Sequence, residues 1–466
     1  MLELLEQQES LTVNQWKIFL ACFFSLALDF FDFSLIGFVL AFFVRDWHLT
    51  YGQSALILLS SGVASVPAGY FFGWLGDKIG RRKVFMITIL TFSVATGVMA
   101  LTPERSWIFL SVMRFIVGLG VGGFFAVDMP LLQEFVPASK RGWLSGASMS
   151  LLPAGPLAAA ALSAALGPMI GWRGLFAMGL LPALMAFVFR VWVPESPRWL
   201  IGKGRLEEAR RSLAWALQLD PNEIALPASV PAPRKTSWLE LFKYPRSIAA
   251  SCLTGISQTG GVGLSLWLVT LLVLLLQVTP AHASYLTIWV SLVAIFGRFF
   301  CAWLSDALGR RPAGILICLV AALTMSLAGY LHDVSIGAMS AFYLMVLING
   351  FFGPGTYAII GPYMTEVWPA PLRASGLGLA YGTSNLGKFI GPAGLALIAG
   401  TSNYVNPQAT LDAIVPGLNY FASWYVLAAL AFLLIGIETR GRTIEELDAA
   451  LTGRAPEPTP LKIPAQ

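Results

Sequence analysis

The chain has 466 residues, of which 56 % are apolar and only 12 % charged, and its mean hydropathy is +0.72. Soluble proteins carry about 25 % charged residues, so this composition excludes an ordinary soluble protein and predicts one that crosses the membrane many times. The net charge of +5 does not indicate nucleic-acid binding, because the basic residues are spread over loops between apolar runs.

The sequence contains twelve apolar runs, each close to the roughly 20 residues that a helix needs to cross a bilayer. A loop of 53 residues separates six runs from six more. We therefore predict an all-α polytopic membrane protein whose 12 transmembrane helices form two pseudo-symmetric six-helix bundles. The predicted spans are 17–44, 55–76, 84–101, 107–131, 143–167, 173–193, 247–275, 284–305, 313–331, 337–365, 373–399 and 416–438. The predicted divisions are an N-terminal bundle (1–193), a central loop (194–246), a C-terminal bundle (247–439) and a tail (440–466).

The charges in the loops predict the orientation of the chain. Lysine and arginine crowd the loops on one side, whereas the other side carries only Arg45, Arg105 and Arg173. Because positively charged loops stay in the cytoplasm, both termini and the central loop are expected there. The N-terminus lacks the basic region of a signal peptide, so the first run is expected to remain as span 1. The short termini and loops favour a bacterial inner membrane.

Within the central loop, a helix is expected near residues 205–217, and Leu239, Leu241 and Phe242 predict a short helix at the membrane interface. Two arginines inside apolar runs, Arg190 and Arg298, are expected to extend to the membrane surface.

A charged turn between two apolar runs occurs twice. The stretch Gly73-Trp-Leu-Gly-Asp-Lys-Ile-Gly-Arg-Arg82 matches residues 302–311, with the acid, the third glycine and the first arginine all shifted by 229 positions. A second pair, Glu134-x2-Pro-x3-Arg141 and Glu366-x2-Pro-x3-Arg373, is shifted by 232. A repeat this long predicts two large halves rather than an array of short units. The stretch Pro194-Glu-Ser-Pro-Arg198 is weakly matched by residues 438–442.

These motifs, together with Arg114-x3-Gly118-x-Gly120, resemble the major facilitator superfamily, and in particular its sugar-porter, organic-ion and aromatic-acid branches. The resemblance covers spans 1 to 12. It implies a secondary transporter, usually monomeric, in which two bundles rock around a central cavity in the bilayer. The glycine-rich helices, with Gly118, Gly120 and Gly122, are expected to be the moving contacts.

The resemblance also implies a gate at the cytoplasmic end, in which ion pairs hold the two halves together in the outward-facing state. The residues assigned to this gate are Gly73, Asp77, Gly80, Arg81, Arg82, Glu134, Arg141, Asp306, Arg310, Glu366 and Arg373.

Two acids lie deep inside span 1. Asp29 and Asp32 are spaced i and i+3, so they share a helix face. Asp32 lies roughly 18 Å from the outer end of its span. Charged residues at this depth are costly and usually functional, and a carboxyl removed from water can bind and release protons. The spacing resembles span 1 of aromatic acid:proton symporters and niacin-type permeases. A structural hydrogen-bonding role in the bundle is the alternative.

Arg114, about 10 Å below the outer surface by its position in span 4, is the expected partner of Asp32. In several symporters that resemble this chain, such an arginine pairs with the acid of span 1, so that the pair couples proton binding to conformation. A static buried ion pair is the alternative.

Lys388 lies near the middle of span 11, where a single ammonium favours an anion. We predict that it binds a substrate carboxylate, with a structural pair to an acid as the alternative. Related organic-anion carriers often have an arginine one turn earlier, where this chain has Asn385. Together with Asn385, polar and aromatic groups at mid-depth complete the predicted binding site: Gln258, Trp267, Asn349, Tyr357 and Tyr381. The role of Asp128 is left open between the gate and a polar contact.

The sequence argues against an enzyme, because it has neither a G-x-S-x-G motif nor a P-loop. No His/Cys cluster has metal-ligand spacing, and the four cysteines lie in or beside apolar runs. We expect no metal and no cofactor, with protons as the coupling ion. The preferred function is proton-coupled uptake of a small organic anion: an aromatic acid, nicotinate or another monocarboxylate. A sugar or polyol symporter, proton-driven drug or metabolite efflux and a non-transporting receptor are the alternatives.

Overall fold

The structure is a computed structural model, and it describes residues 3–137, 139–140, 143–144, 147–148, 152–226, 238–369 and 372–440. Arg141, the side chain of Arg190, part of the central loop and the tail beyond residue 440 lie outside the described residues.

Eighteen helices are named here, in chain order. In the first half they are α1 (Glu3–Glu6), α2 (Val13–Phe43), α3 (Tyr51–Ile79), α4 (Arg81–Val98), α5 (Trp107–Glu134), α6 (Ala154–Met178), α7 (Leu181–Trp192), α8 (Pro197–Gly202) and α9 (Leu206–Leu217). In the second half they are α10 (Pro245–Ile256), α11 (Thr259–Leu276), α12 (Pro280–Leu308), α13 (Arg310–Tyr330), α14 (Ala341–Phe352), α15 (Thr356–Glu366), α16 (Arg373–Asn385), α17 (Gly387–Ala399) and α18 (Pro407–Leu434). Short 3₁₀ helices cover Met99–Leu101, Pro221–Glu223 and Trp238–Lys243.

Several spans begin earlier than their apolar runs, because a capping side chain starts each helix. Thr12 and Thr50 form capping boxes with Gln15 and Gln53, so α2 and α3 begin at Val13 and Tyr51. Thr279 accepts a hydrogen bond from His282 N and starts α12 in the same way. The apolar run reports the part of a helix that lies in the bilayer, whereas the helix itself extends to its cap.

By length and composition, ten helical stretches among the described residues can cross a membrane. One of these stretches, Ala154–Met185, breaks at Gly171, whose φ of 63° and ψ of −177° are not helical, and it therefore supplies spans 5 and 6. The interrupted pair α16 and α17 supplies span 11. The twelve spans expected from the sequence are thus accounted for, and the all-α class is confirmed.

Two predicted boundaries are wrong. Residues 337–340, assigned to span 10, belong to a hairpin in which β1 (Ser335–Ile336) pairs antiparallel with β2 (Met339–Ser340). Span 12 lies nearer the N-terminus than expected, since Asn406 caps α18 before Pro407, and the helix ends at Leu434. In both cases polar capping and turn residues, rather than hydropathy, determine where the helix lies.

The first part of the central loop packs on the first half, whereas its last part, Trp238–Lys243, packs on the second half. Its predicted helix is confirmed as α9, whose Leu213 and Leu217 form a small apolar cluster with Leu5 of α1. Arg198 forms an ion pair with Glu6 at 2.6 Å, which joins the same two segments. The predicted interfacial helix is the 3₁₀ helix Trp238–Lys243, with Leu239 76 % and Phe242 71 % exposed beside a buried Leu241.

Helices α3 and α5 pack closely through glycines. A Cβ on Gly118 would meet the backbone of Ser61, and one on Gly122 would meet the backbone of Ser65. These glycines therefore hold two helices of the same half together rather than forming the moving contact we expected. Between the halves, the corresponding close approach is made by Gly62 of α3 against the backbone of Lys388, 2.8 Å from its built Cβ position.

The two halves are joined at one end of the bundle, which we call the opposite end because it lies away from the charged turns at Gly80 and Gly309. Tyr51 N donates to Asn403 O (2.9 Å), and the Tyr51 hydroxyl lies 2.6 Å from Thr410 Oγ1. Val405 N donates to Leu49 O at 3.0 Å. The end that carries the charged turns is called the basic end. Nearer to it, Gly361 and Gly378 have no atom of the described residues within 4 Å of a built Cβ.

Candidate functional site: charged turns and a buried charge network

The two copies of the charged turn adopt the same geometry. In the first half Arg81 lies between Asp77, at 2.6 Å, and Glu134, at 3.9 Å. In the second half Arg310 pairs in the same way with Asp306 and, at 3.6 Å, with Glu366. Each arginine thus links the end of one helix to the end of another at the basic end.

A second acid at each turn was not predicted from the sequence. Glu195 accepts hydrogen bonds from the backbone N–H of Arg82 and Ser196, both at 3.0 Å. Glu438 accepts from the backbone N–H of Arg310 (2.9 Å) and Arg311 (3.1 Å). Each carboxylate therefore caps the helix that begins after the turn, where the helix dipole favours negative charge. The signal was present in the weak match between residues 194–198 and 438–442.

Glycine is required at both turns. Gly80 has φ 112° and Gly309 has φ 105°, a region that L side chains rarely adopt. The built Cβ of Gly80 would also collide with the carboxylate of Glu195, and that of Gly309 with Glu438.

The described ion pairs of the assigned gate residues do not bridge the halves. Each of the four ion pairs at the turns joins residues of one half. Arg373 donates from Nε to the Trp368 carbonyl at 3.1 Å, again within its own half. Gly73 is half-buried on α3, one turn before Asp77. The gating role of these residues remains a prediction.

The two acids of span 1 lie inside the first half. Asp29 is 3 % exposed and Asp32 is fully buried, and they share one face of α2 as expected. Arg114 of α5 is also fully buried, donates from Nη2 to Ser61 Oγ (2.9 Å), and attracts Asp32 electrostatically. Among the described residues, none of the ion pairs within 4.0 Å includes either acid. Arg114 therefore neutralises Asp32 from a distance rather than locking it.

Lys388 brings the second half to this network. It is half-buried on α17, its ammonium lies 5.3 Å from the ring of Phe33, and it attracts Asp29. Tyr381, seven residues earlier on the same helical face, also lies near Asp29. An acid of one half and a cation of the other thus face each other at mid-depth.

Interruptions in spans 7, 10 and 11 surround this position, and the one in span 10 lies between Phe352 and Thr356. Spans 7 and 11 are interrupted before Thr259 and Gly387, and a Cβ on Gly387 would lie 2.7 Å from Thr259 Oγ1. Gln258, which is buried, accepts a hydrogen bond from Thr356 Oγ1 at the start of α15 (3.2 Å). Asn385 is buried at the end of α16. Discontinuous helices at mid-depth are typical of transporter binding sites.

Two of the predicted binding residues lie in helix contacts in this structure. Trp267 is fully buried at the contact between the halves, with its ring 5.6 Å from Tyr51 and its Nε1 3.4 Å from the Pro392 carbonyl. Asn349 is buried and donates to Ala321 O (2.9 Å), which fixes α14 against α13. In this conformation both side chains lie in helix contacts, and their part in substrate binding remains a prediction. Helix rotation decided this, and hydropathy does not report it.

The expectation that Arg298 extends to the membrane surface is wrong. It does not reach the membrane surface, because it is 7 % exposed on α12 and its guanidinium lies 5.4 Å from the ring centre of Tyr357 on α15. A cation over an aromatic face is stabilised without contact with water. Tyr357 is therefore engaged by an arginine that the sequence analysis had assigned to the surface.

Comparison with known proteins finds similarity to transporters. The family model described as sugar (and other) transporter matches residues 17–451. The chain is 28 % identical over 464 residues to the niacin transporter NiaP of Acinetobacter baylyi, covering 96 % of this chain and all of that protein. It is 26 % identical to the cis,cis-muconate transport protein of the same organism, covering 89 % of this chain and 94 % of that one.

Solved structures share the fold. The xylose transporter XylE from E. coli, in a partially occluded inward open conformation, superposes with a TM-score of 0.71 at 19 % identity, covering 93 % of this chain and all of that one. The repeated turns, the twelve spans and the family match agree. The chain therefore belongs to the sugar (and other) transporter family of the major facilitator superfamily, and it is a multi-pass membrane transporter rather than an enzyme.

Proposed function

We propose that this transporter takes up a small organic anion together with protons, by alternating access of one central site. The anion is an aromatic acid, nicotinate or another monocarboxylate. The observation that carries the proposal is that Lys388 of α17 reaches the other half, where its ammonium lies 5.3 Å from the ring of Phe33, one turn after the buried Asp29 of α2 that it attracts. Buried charges are tolerated only when they are compensated, so each of these groups needs either the other or a substitute.

A proton and a substrate carboxylate are the natural substitutes. When a proton binds Asp29, Lys388 loses its counter-charge, and a substrate carboxylate can replace it through a charge-assisted hydrogen bond. The loaded site then holds a neutral Asp29 and a Lys388 ammonium compensated by the substrate. The protein can therefore change from one open state to the other without an unpaired buried charge. When the proton leaves, Asp29 again attracts Lys388 and expels the anion.

Asp32 and Arg114 provide a second exchange of the same kind. Arg114 neutralises Asp32 without a direct ion pair, so a proton on Asp32 frees Arg114, which lies against Ser61 of α3. Because Gly62, the next residue, packs on Lys388, a shift at Arg114 reaches the substrate site through α3. Protons are thus the proposed coupling ion, without metal or cofactor.

The names of the relatives support an organic-acid substrate. Niacin and cis,cis-muconate are the compounds named for the two relatives above, and both carry carboxylates. The neighbouring XylE structures and the name of the family favour a sugar as the second candidate. A neutral sugar, however, offers only hydroxyl groups and so gives no counter-charge to Lys388 or Asp29 when they separate.

We place the protein in a bacterial inner membrane as a monomer, with the basic end in the cytoplasm. The positively charged loops support this orientation. With the halves joined at the opposite end, the described conformation then faces inward, and the charged turns form the gate when that end closes.

The first test is uptake into proteoliposomes of nicotinate, hydroxybenzoate, lactate, glucose and xylose, with and without an inward proton gradient. We expect the gradient to stimulate uptake of one acid. Lys388→Gln should weaken binding of that acid about 10- to 100-fold, since a hydrogen bond to a charged group contributes about 1.5–3 kcal/mol. Asp32→Asn should lose the response to the gradient while retaining exchange.

Lys388→Arg is the matched control, because it keeps the charge and should retain more affinity than Lys388→Gln. Uptake of glucose or xylose, or acid uptake that ignores both the gradient and Asp32→Asn, would rule out the anion symporter. Acid uptake that is stimulated only by an outward proton gradient, so that protons leave as the acid enters, would instead indicate proton-driven efflux.

A further inference from the structure

A line of buried polar side chains runs through the first half toward the basic end. On α2, Cys22, Ser25, Asp29 and Asp32 recur every three or four residues and are all at most 3 % exposed. On α5, Asp128 is fully buried and lies beside Cys22. The line therefore extends from the pair Asp32 and Arg114 to a carboxyl that the proposed transport cycle does not use.

Several polar atoms along this line lack a hydrogen bond of normal geometry with the part of the chain that the structure describes: both carboxyl oxygens of Asp128 and of Asp32, one oxygen of Asp29 and the hydroxyl of Ser25. The thiol of Cys22 lies beside Asp128 and the hydroxyl of Thr96 beside Asp32, but neither contact has the geometry of a normal hydrogen bond. Buried polar atoms are nearly always satisfied. A series of unpaired ones at a single helix interface therefore indicates bound protons, or water molecules that can carry them.

The balance of charge also requires a proton. Among the described residues, three interior carboxyls (Asp29, Asp32 and Asp128) face two cations, since Arg114 attracts Asp32 and Lys388 attracts Asp29. The third buried cation, Arg298, lies in the second half against the ring of Tyr357. Asp128 is left with the thiol of Cys22 and with Asp29, whose charge repels it. A fully buried carboxylate without a counter-charge is strongly destabilising, and one bound proton removes that cost.

The other helices packed on α5 do not supply the missing charge in their described parts. The charged residues of α3 and α4 all lie at the turn, residues 77–83. The hydroxyl of Tyr70, a titratable group farther along α3, lies beside Gly382 of the other half. Arg81 at that turn is already engaged by Asp77 and Glu134.

We propose that Asp128 is a second proton-binding site, through which protons pass between the acids of span 1 and the basic end. Glu134 is the exit. It follows Asp128 by six residues on α5, about 9 Å along the helix, its side chain is 18 % exposed, and it faces Arg81. All the carboxyls of this route lie in the first half, whereas Lys388 of the substrate site lies in the second. The proposal rests on the proton coupling proposed above.

The test is substrate-driven proton movement in proteoliposomes that contain a trapped pH-sensitive dye, measured alongside substrate exchange without a gradient. Asp128→Asn, which removes the proton site but keeps the shape, should reduce the protons moved per substrate at least tenfold and leave exchange in place. Asp128→Glu should restore proton movement with a shifted pH profile. Thr270→Val, at another buried hydroxyl without a described partner but in the second half, is the matched control and should behave as wild type.

The outcomes separate the two proposals. If the wild type moves protons and Asp128→Asn moves them in the same ratio, the route is overturned while proton coupling stands. If the wild type moves no protons with its substrate, both proposals fail. Should Asp128→Asn not fold, Asp128→Glu decides, because an unshifted pH profile of uptake would overturn the role of Asp128.

Discussion

Glu195 and Glu438 show how single side chains maintain the repeated turns. Each accepts backbone N–H groups at the start of a helix and lies against a glycine of positive φ. Burial raises the pKa of Glu438, but hydrogen bonds from four backbone N–H groups, of Arg440, Arg311, Arg310 and Thr439, outweigh it, so the pKa lies below its ordinary value of 4.5. The folded protein therefore favours the carboxylate.

This shift predicts a dependence of stability on pH. Because the pKa of folded Glu438 is depressed, its contribution is complete above the unfolded value near 4.5 and is lost as the pH falls through the lower folded value. Glu438→Gln should lower stability by about 1 kcal/mol at pH 7, as loss of a cap does. The difference from wild type should narrow below pH about 4.5.

Thermal unfolding in detergent, followed by intrinsic fluorescence from pH 7 downward, measures this difference. Glu223→Gln, at an exposed position in the central loop, is the control and should leave stability unchanged at every pH. A difference for Glu438→Gln that is constant across the titration would contradict the capping role.

Helices α3 and α5 illustrate how whole elements are matched. Gly118 and Gly122, four residues apart, let α5 approach the backbone of Ser61 and Ser65 on α3. Without a hydrophobic driving force between helices in lipid, such close packing is a main source of association. The approach also positions Arg114, one turn before Gly118, to donate to Ser61.

Gly118→Ala should therefore destabilise the first half by about 1–3 kcal/mol, the usual cost of overpacking. Gly378→Ala on α16 is the matched control, since its built Cβ meets no atom of the described part of the chain within 4 Å, and it should be neutral or stabilise by about 0.4–1 kcal/mol. Thermal unfolding of both variants measures this, and equal effects would show that the contact with Ser61 is not limiting.

For the molecule as a whole, the conformation depends on where the halves touch. The hydrogen bonds of Tyr51 and Val405 close the opposite end, whereas the described ion pairs at the basic end stay within one half. Opening the opposite end must break the first set, so the equilibrium between the two states can be shifted there without touching the buried charges.

Tyr51→Phe removes the hydroxyl that meets Thr410. A net hydrogen bond contributes about 0.5–1.5 kcal/mol, so the population open at the opposite end should rise about two- to tenfold. Spin labels at the exposed positions 46 and 402 would report it as a longer distance. Tyr343 provides the control, because its hydroxyl donates to Leu286 O (2.9 Å) within one half. Tyr343→Phe should leave the distance between the labels unchanged. An equal increase in both variants would show that Tyr51→Phe acts through a general loss of stability.

The candidate site was predictable only in part. Asp29, Asp32, Arg114 and Lys388 could be selected because a charge in an apolar run is conspicuous. Trp267 and Asn349 look the same in sequence as residues that line a cavity, yet both are buried in helix contacts. Arg298 was assigned to the surface, although Tyr357 provides a partner inside.

The sequence by itself determined the number of spans, their repeat in two halves and the family, because the thickness of the bilayer imposes length and composition on each helix separately. The tertiary structure alone decided which charges face each other: Asp29 with Lys388, Glu195 with the turn at Gly80, and Asp128 with no cation among the described residues. Such pairings depend on how each helix is rotated and packed against helices that are distant in the chain, and no local pattern encodes that rotation.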